Sequence, residues 1–188
     1  MAFVGVVLAG GKSLRMGQDK ATLLFNSKSL LDNSVTLLRR AGASEVLVSR
    51  NSNSKNPAYI SDIYPNKGPL GGIYSALMAS PLDVLISAVD MPLLTPAQLI
   101  NLANAATLQA NDMNAWQLNN EPLPVYIKNT QAVKQQLSAI LLNKHGGKSI
   151  KYFLHTIGVQ SVICNETHTL INTNTPQQFN DVLASPLV

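Results

Sequence analysis

The sequence predicts an α/β fold in which a mostly parallel sheet is flanked by helices, and three observations carry that expectation. Residues 3–8 (FVGVVL) and 83–89 (DVLISAV) are continuous apolar runs rich in β-branched side chains, the pattern of strands covered on both faces. Strand-like and helix-like segments alternate through the first hundred residues. A glycine-rich stretch follows the first apolar run at once, where open α/β sheets place their ligands.

Each element has a local reason. Ala9-Gly10-Gly11 ends the first strand. From Ser29 the spacing turns helical, with Leu30, Leu31, Val35, Leu38 and Ala41 on one side and Gly42 as the C-terminal stop. Residues 45–49 (EVLVS) form the next strand and close a βαβ unit, whose crossover is right-handed in nearly every case. The polar stretch 50–57 (RNSNSKNP) predicts a surface loop, followed by a short strand over 59–63. Gly68-Pro69-Leu70-Gly71-Gly72 reads as a loop and 73–79 as a helix. Thr95-Pro96-Ala97-Gln98 opens another helix, with a cap, proline at its first position and glutamine at its third.

The second half is less regular. Strands are expected over 114–118 and 125–128 around a turn at 119–122, and a helix over 130–142. Gly146-Gly147 breaks the chain, a helix over 149–157 is stopped by Gly158, and a strand over 159–163 follows. The last unit reads as a strand over 169–172 and a helix opened by Thr175-Pro176-Gln177-Gln178.

With 46% hydrophobic and only 13% charged residues the chain can bury a full core, which excludes a disordered protein. A net charge of +4 suits an anionic ligand, but there is no long basic run, so no nucleic-acid partner is expected. The single cysteine, Cys164, cannot form an internal disulfide, and His145, His155 and His168 fall outside zinc-ligand spacings. The apolar stretch 2–9 is too short to span a membrane and lacks the preceding positive charge of a signal peptide. The expectation is a soluble, cytoplasmic protein with no membrane partner, in which the sequon at 165–167 is a chance match.

Chemistry concentrates in residues 8–20, LAGGKSLRMGQDK. Glycines let the backbone approach a phosphate and turn its N–H groups inward, while Lys12, Arg15 and Lys20 supply positive charge. Neither familiar phosphate fingerprint is present. A Walker pattern ending at Gly11-Lys12-Ser13 needs glycine where Val6 stands, the same pattern at Gly147-Lys148-Ser149 needs it at Leu142, and no GxGxxG occurs. The bland alternative is a glycine turn with solvated lysines.

Asp90 follows the strand over 83–89 directly, where a carboxylate can hold Mg²⁺ against phosphate oxygens or merely cap the next turn. Asp62 is similarly double-edged: it can bond a nucleobase or ribose, or start a turn. Asn172 and Asn174, on alternate positions of the expected strand end, would project to opposite faces, so at most one would point directly into a site. Met16, Met78 and Met91 read as core fillers, and Trp116 and Tyr126 as packed aromatics.

Taken together, LAGGKSLRMGQDK (8–20), Asp62 before GPLGGI (68–73), DMP (90–92), EPLPVYI (121–127), GGKSI (146–150) and NTNTP (172–176) resemble the molybdenum cofactor guanylyltransferases, over nearly the whole chain. The resemblance implies a three-layer Rossmann-like nucleotidyltransferase fold as one domain over 1–188, with 1–110 binding nucleotide and 111–188 on the acceptor side. It implies GMP transfer from GTP to molybdopterin with release of pyrophosphate and with Mg²⁺. Leu8, Ala9, Gly10 and Gly11 would line the GTP site, Lys20 would contact its phosphates, Asp62 the guanosine, and Asp90 the Mg²⁺ ion. Arg15 would assist Lys20 as a catalytic cation, and Asn172 and Asn174 would border the acceptor. Ser49 stands where the family often has asparagine, which leaves base recognition open, and Ala88-Val89 replaces a cysteine that often precedes the aspartate.

Three readings compete with this one: a cytidylyltransferase on the same cofactor, a sugar-phosphate nucleotidyltransferase, and a non-catalytic partner that passes the cofactor on. GTP and molybdopterin are the expected partners, with cofactor-insertion or molybdoenzyme chaperone proteins beside them.

Overall fold

The computed structural model describes residues 2–10, 19–50, 56–108, 112–143 and 149–184. Its elements in chain order are β1 (Val4–Leu8), a 3₁₀ turn (Lys20–Thr22), β2 (Leu24–Phe25), β3 (Lys28–Ser29), α1 (Leu30–Arg40), β4 (Glu45–Ser49), β5 (Tyr59–Ile60), α2 (Pro69–Ala79), β6 (Val84–Ala88) and α3 (Pro96–Leu108). The second half adds β7 (Ala115–Leu118), β8 (Val125–Ile127), α4 (Gln131–Leu142), α5 (Ile150–Ile157), β9 (Val159–Val162), a second 3₁₀ turn (Thr167–Leu170) and α6 (Pro176–Ala184).

Seven strands form one sheet in the order β5-β4-β1-β6-β8-β7-β9. All neighbours pair in parallel except β8, which is antiparallel to β6 and to β7. Because side chains alternate across a strand, β1 feeds both faces: Val4, Val6 and Leu8 pack with α2, α4 and α5, while Val7 packs with α1, α3 and α6. The result is three layers around a central sheet, as the apolar runs predict.

The β4 and β1 neighbours decide where a ligand sits. The chain goes from β1 through α1 to β4 on one side, then returns past β1 to β6 on the other. The order reverses between β1 and β6, and the crevice outside the carboxyl ends of strands at such a switch point is the usual ligand position in open α/β sheets. Leu8, Ala88 and Ser49 end the three strands at this edge and pair in register.

Several expectations need correction. The helix placed at 73–79 begins at Pro69, so Gly71 and Gly72 are its first turn and not a loop; Gly68 caps it at φ +62° and Pro69 takes the first helical position. The strand expected over 169–172 is absent: a 3₁₀ turn ends at Leu170 and residues 171–175 run on without strand pairing. The short strand at 59–63 stops at Ile60. A hairpin of β2 and β3 has no counterpart in the sequence reading; Asn26 (φ +53°) and Ser27 (φ +64°) form its two-residue turn, a left-handed pair suited to strand twist. Met91 is buried as expected, but Met78 is 49% exposed on α2, and Met16 lies outside the described residues.

Capping boxes follow the sequence closely. Thr95 N–H donates to Gln98 Oε1 at 2.9 Å, and Thr175 N–H donates to Gln178 Oε1 at 3.1 Å, at the starts of α3 and α6. Thr130 and Ser149 cap α4 and α5 through their hydroxyls.

Candidate active site

Lys20 opens the 3₁₀ turn Lys20–Thr22, and its ammonium joins the turn after β6 to the segment before α6. Lys20 Nζ donates to Asp90 Oδ2 and to Asn174 Oδ1, each at 3.1 Å, across 70 and 154 residues of chain. The Lys20 and Asp90 side chains are 15% and 18% exposed, so the pair is largely buried while keeping some contact with solvent. Among the described residues, two of the three ammonium donors are engaged.

Asp90 sits two residues beyond β6, in the turn before Met91 and Pro92. Its backbone is fixed from the far end of the chain. Thr173, fully buried, donates its N–H (2.8 Å) and its hydroxyl (3.2 Å) to the Asp90 carbonyl. That pair of hydrogen bonds to one carbonyl explains why the segment is not a strand: its middle residue is turned inward to Asp90, and its flanking asparagines are disposed around that contact. Asn174 reaches Lys20, whereas Asn172 Oδ1 is buried with no partner among the described residues.

The other half of the edge lies around α2. Ala9 N–H donates to the Ser49 carbonyl at 3.0 Å, and a Cβ built on Gly10 would stand 3.5 Å from the same oxygen, so the residues after β1 run close along the end of β4. The Ser49 side chain is 3% exposed and turned toward the first turn of α2; a Cβ on Gly72 would meet its Oγ at 2.3 Å. A Cβ on Gly71 would lie 2.8 Å from the Tyr64 carbonyl and 3.6 Å from Asp62 Oδ2. Helical glycines here follow from close approach: α2 can seat against Ser49 and residues 62–64 only without side chains at those two positions.

The structure thus places Leu8, Ala9, Gly10, Ser49, Asp62, Lys20, Asp90, Asn172 and Asn174 along the carboxyl edge of the parallel strands and brings Lys20, Asp90 and Asn174 into direct contact. Gly11, Lys12 and Arg15 lie outside the described residues. Two residues of the site go unread in the sequence. Thr173 reads as one more polar residue before a proline. Arg50, which pairs with Asp19, reads as part of a polar loop, although a cation directly after a strand end in a chain with only 14 basic residues is a usable signal.

A family model described as the MobA-like NTP transferase domain matches residues 5–157. A molybdenum cofactor guanylyltransferase from Xanthomonas euvesicatoria pv. vesicatoria (strain 85-10) is 34% identical over 187 residues, covering 96% of this chain and 94% of the relative. The chain belongs to the molybdenum cofactor guanylyltransferase family. It is a nucleotidyltransferase, and the expected fold class is the observed one. A probable molybdenum cofactor guanylyltransferase from Carboxydothermus hydrogenoformans (strain ATCC BAA-161 / DSM 6008 / Z-2901) is 33% identical over 94% of this chain and 93% of its own.

Solved structures agree on architecture. Molybdopterin-guanine dinucleotide biosynthesis protein A from Archaeoglobus fulgidus superposes with a TM-score of 0.76 at 20% identity, covering 95% of this chain and 96% of that one. The 2-C-methyl-D-erythritol 4-phosphate cytidylyltransferase from Thermus thermophilus superposes with a TM-score of 0.69 at 13% identity, over 95% and 96% of the two chains. Proteins with different names thus share this fold, and the fold by itself does not fix the substrate. No described helix is long and apolar enough to cross a membrane.

Proposed function

We propose that this protein transfers GMP from GTP to the terminal phosphate of molybdopterin in the molybdenum cofactor, forming the guanine dinucleotide and releasing pyrophosphate. The observation that supports this reading best is the shared ammonium of Lys20, which bridges the carboxylate after β6 and the acceptor-side Asn174. In the reaction an oxygen of the acceptor phosphate forms a bond to the α-phosphorus of GTP. The bond from that phosphorus to the bridging oxygen breaks, and pyrophosphate leaves with the electron pair.

An acceptor phosphate is already anionic at neutral pH, so no general base is required. The barrier is charge, since one anion must approach another in line with a departing third. In this proposal Lys20 supplies a cation at the carboxyl edge of the sheet and the glycine-rich sequence after β1 would supply backbone N–H groups, the positioning and neutralisation that phosphoryl chemistry needs. Arg15 completes the cationic set in this proposal. Mg²⁺, when bound, would neutralise further charge on the triphosphate, and Asp90 would hold it. The donor set fits that ion: Asp90 presents one carboxylate in the turn after β6, and Mg²⁺ characteristically takes one or two carboxylates and completes its shell with substrate oxygens and water.

Asp62 and Ser49 flank the first turn of α2 and form the base and ribose side, with residues 1–110 as the nucleotide-binding part. Asn172 and Asn174 form the acceptor side, with residues 111–188. The partially positive N-terminus of α2 at this edge favours an anionic ligand between the two halves. Cofactor-insertion or molybdoenzyme chaperone proteins are the partners that would take the product.

Parallel assays with GTP, CTP, ATP and UTP in the presence of authentic acceptor test the proposal. Pyrophosphate release with GTP as the preferred donor is the expected result. A preference for CTP would move the enzyme to the cytidylyl branch. Tight GTP binding with no release in the presence of acceptor would make it a non-catalytic carrier.

A further inference from the structure

Beside the site, a second ion pair has no place in the scheme above. The guanidinium of Arg50 donates to Asp19 Oδ2, with the two side chains 26% and 41% exposed. Arg50 is anchored at the end of β4, where its N–H donates to the Ile60 carbonyl of the neighbouring strand segment at 3.1 Å. Asp19 is anchored at the other end. Its Oδ1 accepts from Ala21 N–H at 3.1 Å and its carbonyl from Thr22 N–H at 3.1 Å, so it is the N-cap of the 3₁₀ turn that Lys20 opens.

Successive residues therefore pull in opposite directions across the crevice: Asp19 is tied to β4 on one side, and Lys20 to Asp90 and Asn174 on the other. The 3₁₀ turn is a single turn of three residues, too short to fix its own orientation on the sheet. The backbone bond from Leu30 N–H to the Leu23 carbonyl holds the exit of the turn and not its entry. Among the described residues, a charge-assisted bond from a strand end to the cap of the turn adds a constraint at its entry, beside the burial of Ala21 in the core.

We infer that Arg50 is a positioning residue for Lys20: through Asp19 it sets where the ammonium stands over the triphosphate, without touching substrate itself. The inference rests on the reading of Lys20 as a phosphate contact. Arg50 and Asp19 then act as one unit, and removing either loosens the same turn.

The test measures GTP binding by calorimetry with Mg²⁺ and GMP transfer to authentic acceptor, in wild type and in Lys20→Ala, Arg50→Met, Asp19→Asn, the Asp19→Asn/Arg50→Met double variant and Arg50→Lys. Asparagine is as good an N-cap as aspartate, so Asp19→Asn keeps the turn and removes only the ionic partner. The expected result is a loss of about tenfold in kcat/KM for GTP in Arg50→Met and in Asp19→Asn, the scale of one charge-assisted hydrogen bond. The double variant should lose no more than either single one, Arg50→Lys should recover part of the loss, and the thermal midpoints should differ little.

Additive losses in the double variant would overturn the inference. So would a loss in Arg50→Met that Asp19→Asn does not share, which would make Arg50 a direct substrate contact, or a drop in melting temperature with unchanged GTP kinetics. Should wild type and Lys20→Ala bind GTP equally, the reading of Lys20 itself would fail, an outcome separate from all of these.

Discussion

Asn172 and Asn174 are equivalent in sequence pattern and unlike in structure. Asn174 spends its carbonyl on Lys20, while Asn172 carries a buried oxygen with no partner among the described residues. A buried acceptor left unpaired destabilises a fold by about 1–3 kcal/mol. Asn172→Ala should therefore leave the melting midpoint of the ligand-free protein unchanged or raised while lowering GMP transfer, a divergence that thermal scanning beside a turnover assay will read. Asn174→Ala should raise KM for the acceptor more than for GTP, because its carbonyl lies on the side of Lys20 away from β4. The sequence shows both asparagines as candidates. It does not show their difference, because that depends on Thr173 bonding the Asp90 carbonyl 83 residues away, a contact without a local signature.

Among the elements, α2 begins inside a motif that reads as a loop. Three glycines and a proline in five residues look like a turn, but Gly71 and Gly72 are small because the helix is pressed against the sheet edge, not because the chain bends there. The two glycines differ in what opposes them. A methyl at position 72 meets a hydroxyl that can rotate, whereas one at 71 meets the Tyr64 backbone carbonyl, which cannot. Gly72→Ala should cost about 1 kcal/mol and be largely rescued by Ser49→Ala, while Gly71→Ala should cost about 2–3 kcal/mol with no rescue, as overpacking against rigid atoms does. Denaturant unfolding followed through the single, fully buried Trp116 gives both values.

On the antiparallel strand β8, Tyr126 donates its hydroxyl to Asp83 Oδ2 at 3.2 Å, and burial, then the Asp83 charge and this bond, raise the phenol above its ordinary 10.0. The unfolded tyrosine loses its proton near pH 10 and the folded one only at higher pH, so above pH 10 the native state binds more protons and stability falls as pH rises. Below that pH the contribution is fully present. Tyr126→Phe removes the titration, and its stability should decline less steeply than that of wild type above pH 10.

Across the molecule, alternating β and α patterns make the parallel half of the sheet and its crevice legible, because buried strands and capped helices each carry a local signal. Strand order is not legible: nothing in residues 114–128 tells that β8 inserts antiparallel between β6 and β7. Convergence across the chain is likewise a property of the assembled sheet. Residues 20, 90 and 174 meet because the chain reverses at β1 and β6 and because the last segment returns to Asp90.

That convergence is the central claim, and Mg²⁺-dependent pyrophosphate release from GTP with acceptor present, compared between wild type, Lys20→Met and Asp90→Asn, tests it most directly. Both variants should stay folded by Trp116 fluorescence and lose about 10²- to 10³-fold in rate, as removal of one oriented charge from a phosphoryl-transfer site does. Either variant turning over at the wild-type rate would contradict the account.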